Sequence, residues 1–442
     1  MLEKQPWIKF APELYIEWQQ CYDEGLDVGD FEKLCRSASQ IPDISEETAE
    51  NISRTMHSRP MRKDFLFEEP STLPEIQKCR PIKQPELPSF TDRENFSDKI
   101  KGAWLGRIAG CLLGKPVEGY RFDRLTSLLK ATDNYPINRY ILKSDFTDDL
   151  IKQLDINADS CWADNIGNIA PVDDDTNYTV FTLKMFETYG PNFTANDVLE
   201  ARMLWVPYLT VCTAERVSYR NAAMGLLVPE TALYKNPYRE GVGAQIRGDF
   251  YGYINPGNPE QAAALAFRDA STSHVKNGIY GEMFIAAMIA AAAVCNDTET
   301  VVNAGLSQIP ENCRLSRDIR QVLEWHKSGL SIQQLVKNIY GLYNETTLYG
   351  WCHTIPNAMI VTAALLYGER DFGSSICLAV GSAFDTDCNG ATVGSIVGIM
   401  NGAAAIPDCW FAPFEGKLRT SIDEYNTVDI DMLTSKTMDL IR

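Results

Sequence analysis

The 442-residue sequence predicts an all-α fold, and three features support this prediction. Two segments rich in small apolar residues carry a glycine at every fourth position, a spacing that aligns the glycines along one side of a helix. Alanine-rich stretches, which favour helix and close packing, recur in the second half of the chain. Strand signals are few. We therefore expect a helical protein in which some helices approach each other closely.

Residues 1–95 differ from the rest and are predicted to form an N-terminal helical, proline-rich extension. They are poor in glycine, and prolines punctuate their second half. We predict helices near 12–24 and 45–57, followed by an extended strap. The main all-α domain is predicted to span residues 96–442.

The main domain opens with the first glycine-striped helix. Pro116 is expected to end this helix and to leave Glu118 in a loop. The second striped helix lies near the C-terminus. Helices give up stability to carry so many glycines, so these two could pack against each other at short range. The stripes consist of Gly102, Gly106, Gly110 and Gly114 in the first helix and Gly390, Gly394, Gly398 and Gly402 in the second.

The segments between the two striped helices are predicted to be helical or loop-like. Residues 121–170 are expected to form loops with short helices. Apolar periodicity and alanine content predict the longer helices. These cover 177–186, 195–209, 212–224, 260–270 and 281–295, two helices within 318–341, and a last one over 351–367.

Two acid-rich turns suggest a cation site. Asp385 and Asp387 precede the second striped helix, and they cannot share a helix face because they would lie about 200° apart. Asp173–Asp175 precede another apolar helical segment, where an N-cap role alone would explain them equally well. Together the two turns favour a metal ion, and an oxygen ligand set suits Mg²⁺, Mn²⁺ or Ca²⁺ rather than zinc.

Composition excludes several classes of protein. The net charge of −18 argues against a nucleic-acid-binding surface. The 12 cysteines form no C-x-x-C pair, which is typical of a reducing compartment. The start of the chain lacks a signal-peptide pattern, and the longest apolar run, 283–295, is too short to span a membrane. We expect a cytoplasmic protein.

Other candidate site residues carry weaker signals. The glycine-rich segment 241–248 with Arg247 could cradle an anionic group through backbone N–H donors. His274 and His353 stand beside candidate site loops, although a single histidine is more often structural than catalytic. No G-x-S-x-G elbow supports serine-hydrolase chemistry.

Five motifs in one order resemble the ADP-ribosylglycohydrolase family, which includes dinitrogenase-reductase-activating glycohydrolases and ADP-ribosylhydrolases. The resemblance covers residues 98 to 405. Any one motif alone would be weak. The motifs are a G-x-P-x-E turn at 114–118, an altered T-D-D-T at 173–176, a glycine segment with a following P-G-N-P-E turn at 241–260, Ser273-His274, and the acidic turn at 385–388.

The resemblance implies a compact orthogonal helical bundle with two Mg²⁺ or Mn²⁺ ions in a central cleft. In the family, the ions hold hydroxyls of the distal ribose beside the scissile C1″ bond. The implied metal ligands are Asp173, Asp174, Asp175, Asp385 and Asp387, and the implied catalytic residues are Glu118 and Asp174. The implied substrate-binding residues are Gly241, Gly243, Gln245, Arg247, His274, Asn277, Gly278, His353, Cys388 and Asn389.

The sequence departs from the family pattern at four positions. Asp173 replaces the usual threonine and adds negative charge, and Cys111 stands where many members have aspartate. Val242 replaces the usual asparagine. Cys388 replaces a threonine, and because a thiol is a poor Mg²⁺ ligand, coordination is expected to shift to Asn389 or water.

The resemblance implies a Mg²⁺-dependent hydrolase that cleaves the C1″ glycosidic bond of ADP-ribose attached to an acceptor. The expected partner is ADP-ribose or an ADP-ribosylated acceptor, with no nucleic acid and no membrane. Two alternatives remain open. One is hydrolysis of a small ribosyl metabolite or nucleoside-like N-glycoside, and the other is a non-catalytic ADP-ribose-binding protein on the same scaffold.

Overall fold

The computed structural model describes residues 5–41 and 44–441, and it confirms the predicted all-α class. The start of the sequence, on which the absence of a signal peptide was predicted, lies partly outside the described residues. Two short strands, β1 (Lys417–Arg419) and β2 (Thr427–Asp429), form an antiparallel pair that the sequence analysis did not foresee. Among the described residues, no helix combines the length and apolar character needed to cross a membrane.

The N-terminal extension contains two helices that the sequence predicted and two that it did not. The predicted helices are α1 (Leu14–Asp23) and α3 (Glu46–His57), and the additional ones are α2 (Glu32–Ala38) and α4 (Leu73–Lys78). The hydroxyl of Ser45 accepts the Thr48 N–H and caps α3. Apolar side chains from the first three helices form a small core of their own.

The rest of the chain folds into helices that share one continuous apolar core. The longest predicted helices are all present. The helix predicted from Gly281 begins five residues earlier, at Lys276, and is buried along nearly its whole length. The helices are α5 (Phe96–Gly114), α6 (Phe122–Ala131), α7 (Asp148–Leu154), α8 (Asp174–Tyr189), α9 (Ala195–Trp205), α10 (Thr213–Ala223), α11 (Glu230–Leu233), α12 (Asp249–Tyr253), α13 (Pro259–Ala270), α14 (Lys276–Ala292), α15 (Thr298–Leu306), α16 (Arg314–Lys327), α17 (Ile332–Leu342), α18 (Leu348–Trp351), α19 (Thr354–Tyr367), α20 (Phe372–Gly381), α21 (Thr386–Asn401) and α22 (Ile430–Leu440).

The two glycine-striped helices, α5 and α21, lie backbone against backbone, as the spacing predicted. A Cβ atom added at Gly110 would lie less than 3.0 Å from the carbonyl oxygen of Gly390, and one at Gly394 would meet Gly106 in the same way. The pairing is antiparallel, so the end of α5 lies beside the start of α21. There the Thr386 hydroxyl donates to the Gly114 carbonyl at 2.9 Å.

The extension is joined to the main domain through buried ion pairs. Arg239 donates to Glu17 at 2.8 Å and to Glu24 at 2.6 Å, and Lys276 donates to the second oxygen of Glu24 at 2.7 Å. Glu17 and Arg239 are 2% and 3% exposed. Burial alone would raise the pKa of Glu17, but the charges of Arg239 and His57 lower it to about 2.

The strap after α3 provides a second anchor. Glu69 accepts from Arg314 at 2.7 Å and from the Asn277 amide at 2.8 Å. Arg314 also pairs with Glu240 at 2.7 Å, and Glu240 accepts from Gln20 of α1 at 2.8 Å. The extension and the main domain therefore share one buried polar network.

We expect Gly110→Ala to destabilise the protein, because its methyl group would collide with the backbone of α21. Overpacking of this kind costs about 1–3 kcal/mol of the free energy of unfolding. Denaturant unfolding measures the change. Gly341→Ala is the matched control, since it lies in α17 with open space around it and should be neutral or stabilising by up to about 1 kcal/mol. Equal unfolding midpoints for both variants would contradict the close contact.

We expect Arg239→Met to lower the free energy of unfolding by about 3–5 kcal/mol, because it leaves the buried carboxylates of Glu17 and Glu24 without their partner. Thermal and denaturant unfolding measure this loss. Arg54→Met is the control, since Arg54 pairs with Glu50 on the surface at 3.5 Å and should change stability by less than about 1 kcal/mol. A similarly small effect of both substitutions would refute the anchoring role of Arg239.

Candidate metal centre

The two acid-rich turns meet at the end of the α5–α21 contact. Potential ligand atoms lie within 4.8 Å of one another in three overlapping sets, and the sets share Asp175 and Asp387. The sets are Cys111 with Asp173 and Asp175, Asp175 with Asp387 and Cys388, and Glu118 with Asp385 and Asp387. Asp174 lies near them, since the charges of Asp173 and Asp387 raise the pKa of its carboxyl group. We call the six carboxylates of these sets and of Asp174 the acid cluster: Glu118, Asp173, Asp174, Asp175, Asp385 and Asp387.

Helix starts position most of the acid cluster. Asp173 is the N-cap residue of α8, and its side chain accepts the Asp175 N–H at 2.9 Å. The N-cap role that the sequence offered as an alternative to metal binding is therefore part of what Asp173 does. Asp385 is the residue before α21, and its N–H donates to the Asn357 side chain at 3.1 Å. The acid cluster thus rests on backbone positions that two helices fix.

Arg107 of α5 holds the start of α8 in place. Its guanidinium donates to the Asp175 carbonyl at 2.7 and 3.0 Å and to the Asp175 carboxylate at 3.2 Å. It also pairs with Asp249 at 2.8 Å, and all three side chains are fully buried. The same helix that contacts α21 through glycines therefore fixes the second acidic turn through an arginine.

Three carboxylate oxygens of the acid cluster are buried without a hydrogen-bond partner in the part of the chain that the structure describes. They are Asp175 Oδ2, Asp385 Oδ1 and Asp387 Oδ1. Buried carboxylate oxygens without partners are unfavourable, and a hard divalent cation would satisfy them. The donor set fits such an ion, with the thiols of Cys111 and Cys388 at its edge.

Mutual repulsion shifts the proton affinities of the acid cluster. The charge of Asp387 is the largest cause that raises the pKa of Glu118, to about 10. Burial and the charges of Asp173 and Asp387 raise the pKa of Asp174 well above its usual range. Asp173 differs: burial opposes its ionisation, but an ion pair with Lys115 lowers its pKa. Extra positive charge would let the other carboxyl groups ionise.

Two backbone donors at the start of the glycine segment are already engaged within the fold. The N–H of Gly241 donates to Tyr238 at 2.8 Å, and the N–H of Val242 donates to the Cys352 carbonyl at 2.7 Å. A Cβ atom at Gly243 would collide with the carboxylate of Glu215. Gln245 is buried and accepts the Thr354 hydroxyl at 2.9 Å. The predicted substrate contacts of Gly241, Gly243 and Gln245 stay predictions.

Arg247 lies in the protein interior. It is fully buried and pairs with Glu215, with Asp269 at 2.9 Å and with Glu282 at 3.5 Å. Its positive charge is therefore already balanced by carboxylates from α10, α13 and α14. Its predicted contact with substrate gains no support from these interactions.

Both candidate histidines are buried and make local contacts. The Nδ1 atom of His274 lies 2.8 Å from the Ser273 hydroxyl, and burial lowers its pKa well below the usual value. His353 caps α19, where its Nδ1 accepts the Ile355 N–H at 3.2 Å. His353 Nε2 lies 3.7 Å from Glu240.

The remaining predicted substrate residues fall into two places. Asn277 bonds to Glu69 and Glu240, and Gly278 packs against the Arg239 carbonyl, so both belong to the network that holds the extension. Cys388 and Asn389 border the acid cluster, where the Asn389 amide donates to Asn357 at 2.9 Å. Their roles with substrate stay predictions.

Sequence reasoning missed Lys115 and Arg107 as site residues. A charged residue within an apolar, glycine-rich helix must find a partner, and that signal could have identified Arg107. Lys115 stands in the turn Lys115–Val117, directly before Glu118. Its pairing with Asp173 depends on the tertiary fold, so spacing alone did not reveal it.

Residues 92–438 of the chain match the sequence model of the family described as ADP-ribosylglycohydrolase. The chain belongs to the ADP-ribosylglycohydrolase family. Membership confirms the resemblance drawn from the five motifs and makes the protein a hydrolase of the glycohydrolase type. Most of the N-terminal extension lies outside the part that matches the glycohydrolase family.

One similar solved structure is titled "ADP-ribosylglycohydrolase-related protein complex". It is 19% identical to this glycohydrolase, and the similarity covers 78% of this chain and 98% of that one with a TM-score of 0.48. No curated protein sequence matches the chain.

The metal-free glycohydrolase should lose stability as the pH rises. Because the pKa of Glu118 rises from 4.5 to about 10 on folding, the folded state holds this proton more tightly than the unfolded state does, and the advantage disappears through that pH range. Thermal unfolding in EDTA at a series of pH values measures the slope.

We expect Glu118→Gln to flatten this slope, whereas the exposed control Glu94→Gln should keep it. MgCl₂ should also flatten the wild-type slope, because a bound cation favours the ionised carboxylates. Identical slopes for wild type and Glu118→Gln would show that Glu118 is not repelled by the acid cluster.

Proposed function

We propose that the protein is a Mg²⁺-dependent hydrolase that cleaves the glycosidic bond at C1″ of ADP-ribose attached to an acceptor. The observation that carries this proposal is that two distant acidic turns meet and leave buried carboxylate oxygens without a partner in the described part of the chain. Membership of a glycohydrolase family gives that convergence a chemical context.

The aspartates of the acid cluster are the candidate metal ligands. Asp175, Asp385 and Asp387 each present an oxygen that has no hydrogen-bond partner among the described residues, and these three would hold a cation, with Asp173 and Asp174 beside them. A bound divalent cation would supply positive charge that orients ribose hydroxyls and polarises water.

Glu118 is the candidate acid/base. It is exposed at the end of its turn, and its carboxylate lies in one set with Asp385 and Asp387. The charge of Asp387 raises the pKa of this carboxyl in the metal-free protein, and a bound cation would lower it again, so the group could serve as a proton donor or acceptor beside the ion. Asp174, half-buried with its pKa also raised, is the second candidate. Glycosidic cleavage builds positive charge on the ribose ring, which neighbouring carboxylates stabilise.

A second candidate substrate class is favoured by the glycine segment. The backbone N–H groups of Gly241 and Val242 are already bonded, and Arg247 is buried among carboxylates. With these two donors engaged and the charge of Arg247 balanced, fewer groups of the segment remain to bind a diphosphate. This favours a small ribosyl metabolite or nucleoside-like N-glycoside as the alternative substrate.

We expect Mg²⁺-dependent release of ADP-ribose from peptides ADP-ribosylated on arginine or serine, measured by chromatography with MgCl₂ or with EDTA. Asp387→Asn should lower the rate by about 10²-fold or more, because even the loss of an outer partner of a metal site costs about 10–100-fold. Asp408→Asn, at an exposed position outside the acid cluster, is the matched control and should keep wild-type activity.

Other outcomes of the same assay separate the alternatives. Turnover of nucleoside-like glycosides, with none of the peptides cleaved, would replace the first substrate class by the second. Tight binding of ADP-ribose without turnover of any substrate would contradict the hydrolase proposal altogether.

A further inference from the structure

Lys115 brings a positive charge into the acid cluster from within the protein. It occupies the turn that ends α5, three residues before Glu118, and its ammonium group donates to Asp173 Oδ2. Its side chain is 22% exposed, whereas that of Asp173 is 2% exposed. The ion pair is therefore largely removed from solvent. Buried pairs of this kind are screened much less than exposed ones.

The acid cluster has two unlike sides. On the first side, both oxygens of Asp173 have partners, Oδ2 with Lys115 and Oδ1 with the Asp175 N–H at 2.9 Å. On the second side, Asp385 Oδ1 and Asp387 Oδ1 are buried without partners in the part of the chain described. These residues form a ligand set with Glu118, and the third such oxygen, Asp175 Oδ2, belongs to a residue grouped with both Asp173 and Asp387. Two of the three oxygens that need a cation therefore lie on the second side.

Electrostatics make a second ion unfavourable beside Lys115. Two metal ions in a dinuclear site lie about 3.5–4 Å apart, so both would need room within the acid cluster. An ion near Asp173 would face the ammonium group that already neutralises this carboxylate, and like charges at such distances repel. Burial lowers the pKa of Lys115, but the charge of Asp173 outweighs burial and raises it, and the charge of Asp387 adds to this effect.

The geometry points to a site for one divalent cation, in which Lys115 takes the place of a second one. The ion would lie on the side of Asp385, Asp387 and Glu118, and Lys115 would hold Asp173 away from it. This inference rests on the metal dependence in the proposed function, but it concerns the number of ions and not the substrate.

Titration of the metal-free protein with MnCl₂ tests this inference without substrate. Calorimetry should give one ion per chain, and electron paramagnetic resonance should show the resolved hyperfine pattern of an isolated Mn²⁺. Lys115→Met should raise the number to two and give the broadened spectrum of a coupled Mn²⁺ pair. Lys115→Arg should keep one ion. Lys436→Met, which removes a half-exposed lysine paired with Glu187, is the control and should also keep one.

Two coupled ions in the wild type would overturn the inference. This test uses the wild type alone, so it does not depend on whether Lys115→Met folds. One ion in both the wild type and a folded Lys115→Met would also overturn it, because Lys115 would then not exclude the second ion. Two ions together with release of ADP-ribose would leave the proposed function intact. One ion without turnover of any substrate would leave the inference intact and remove the proposed function. Absence of any bound Mn²⁺ would overturn both.

Discussion

The antiparallel backbone contact between α5 and α21 is the constraint on which the site depends. Glycines at matching positions let each helix reach the carbonyl oxygens of the other, and a single methyl group would prevent this at Gly106, Gly110, Gly390 or Gly394. The contact fixes the register of the two helices. It therefore sets the turn with Lys115 and Glu118 against the turn with Asp385 and Asp387, although some 270 residues separate them in the sequence.

Buried charge is the second constraint, and it follows from the first. Arg107 enters from α5 and balances Asp175 and Asp249, while Lys115 balances Asp173. Buried ion pairs of this kind are weak sources of stability, because well-packed apolar residues of the same volume often stabilise a fold more. Their presence beside unpartnered carboxylate oxygens is better explained by a site that must hold further positive charge. Burying these charged groups lowers the stability of the fold locally, at the place where its chemistry is proposed.

The sequence was most informative where a local pattern decides the structure. The glycine period predicted both the helices and their contact, and acid-rich helix starts predicted which carboxylates would meet. It was least informative for long side chains. Arg247 looked like an anion-binding residue because its partners Glu215, Asp269 and Glu282 lie far from it along the chain, and only the packed helices bring them together. The helix predicted from Gly281 begins five residues earlier, at Lys276, where tertiary packing buries the additional turn.

The N-terminal extension differs from the rest of the chain in composition, yet its charged residues pair with those of the main domain. Residues before 95 differ from the rest in glycine and proline content, but Glu17, Glu24 and Glu69 neutralise arginines and a lysine of the main domain. One of these cations, Arg239, is followed directly by Glu240 and the glycine segment. Glu240 in turn contacts Asn277, Arg314 and the extension's Gln20. Without the extension, these cations would lose carboxylate partners beside the segment predicted to meet substrate. The extension therefore completes the electrostatics of the main domain, and these buried ion pairs cross the predicted boundary at residue 95.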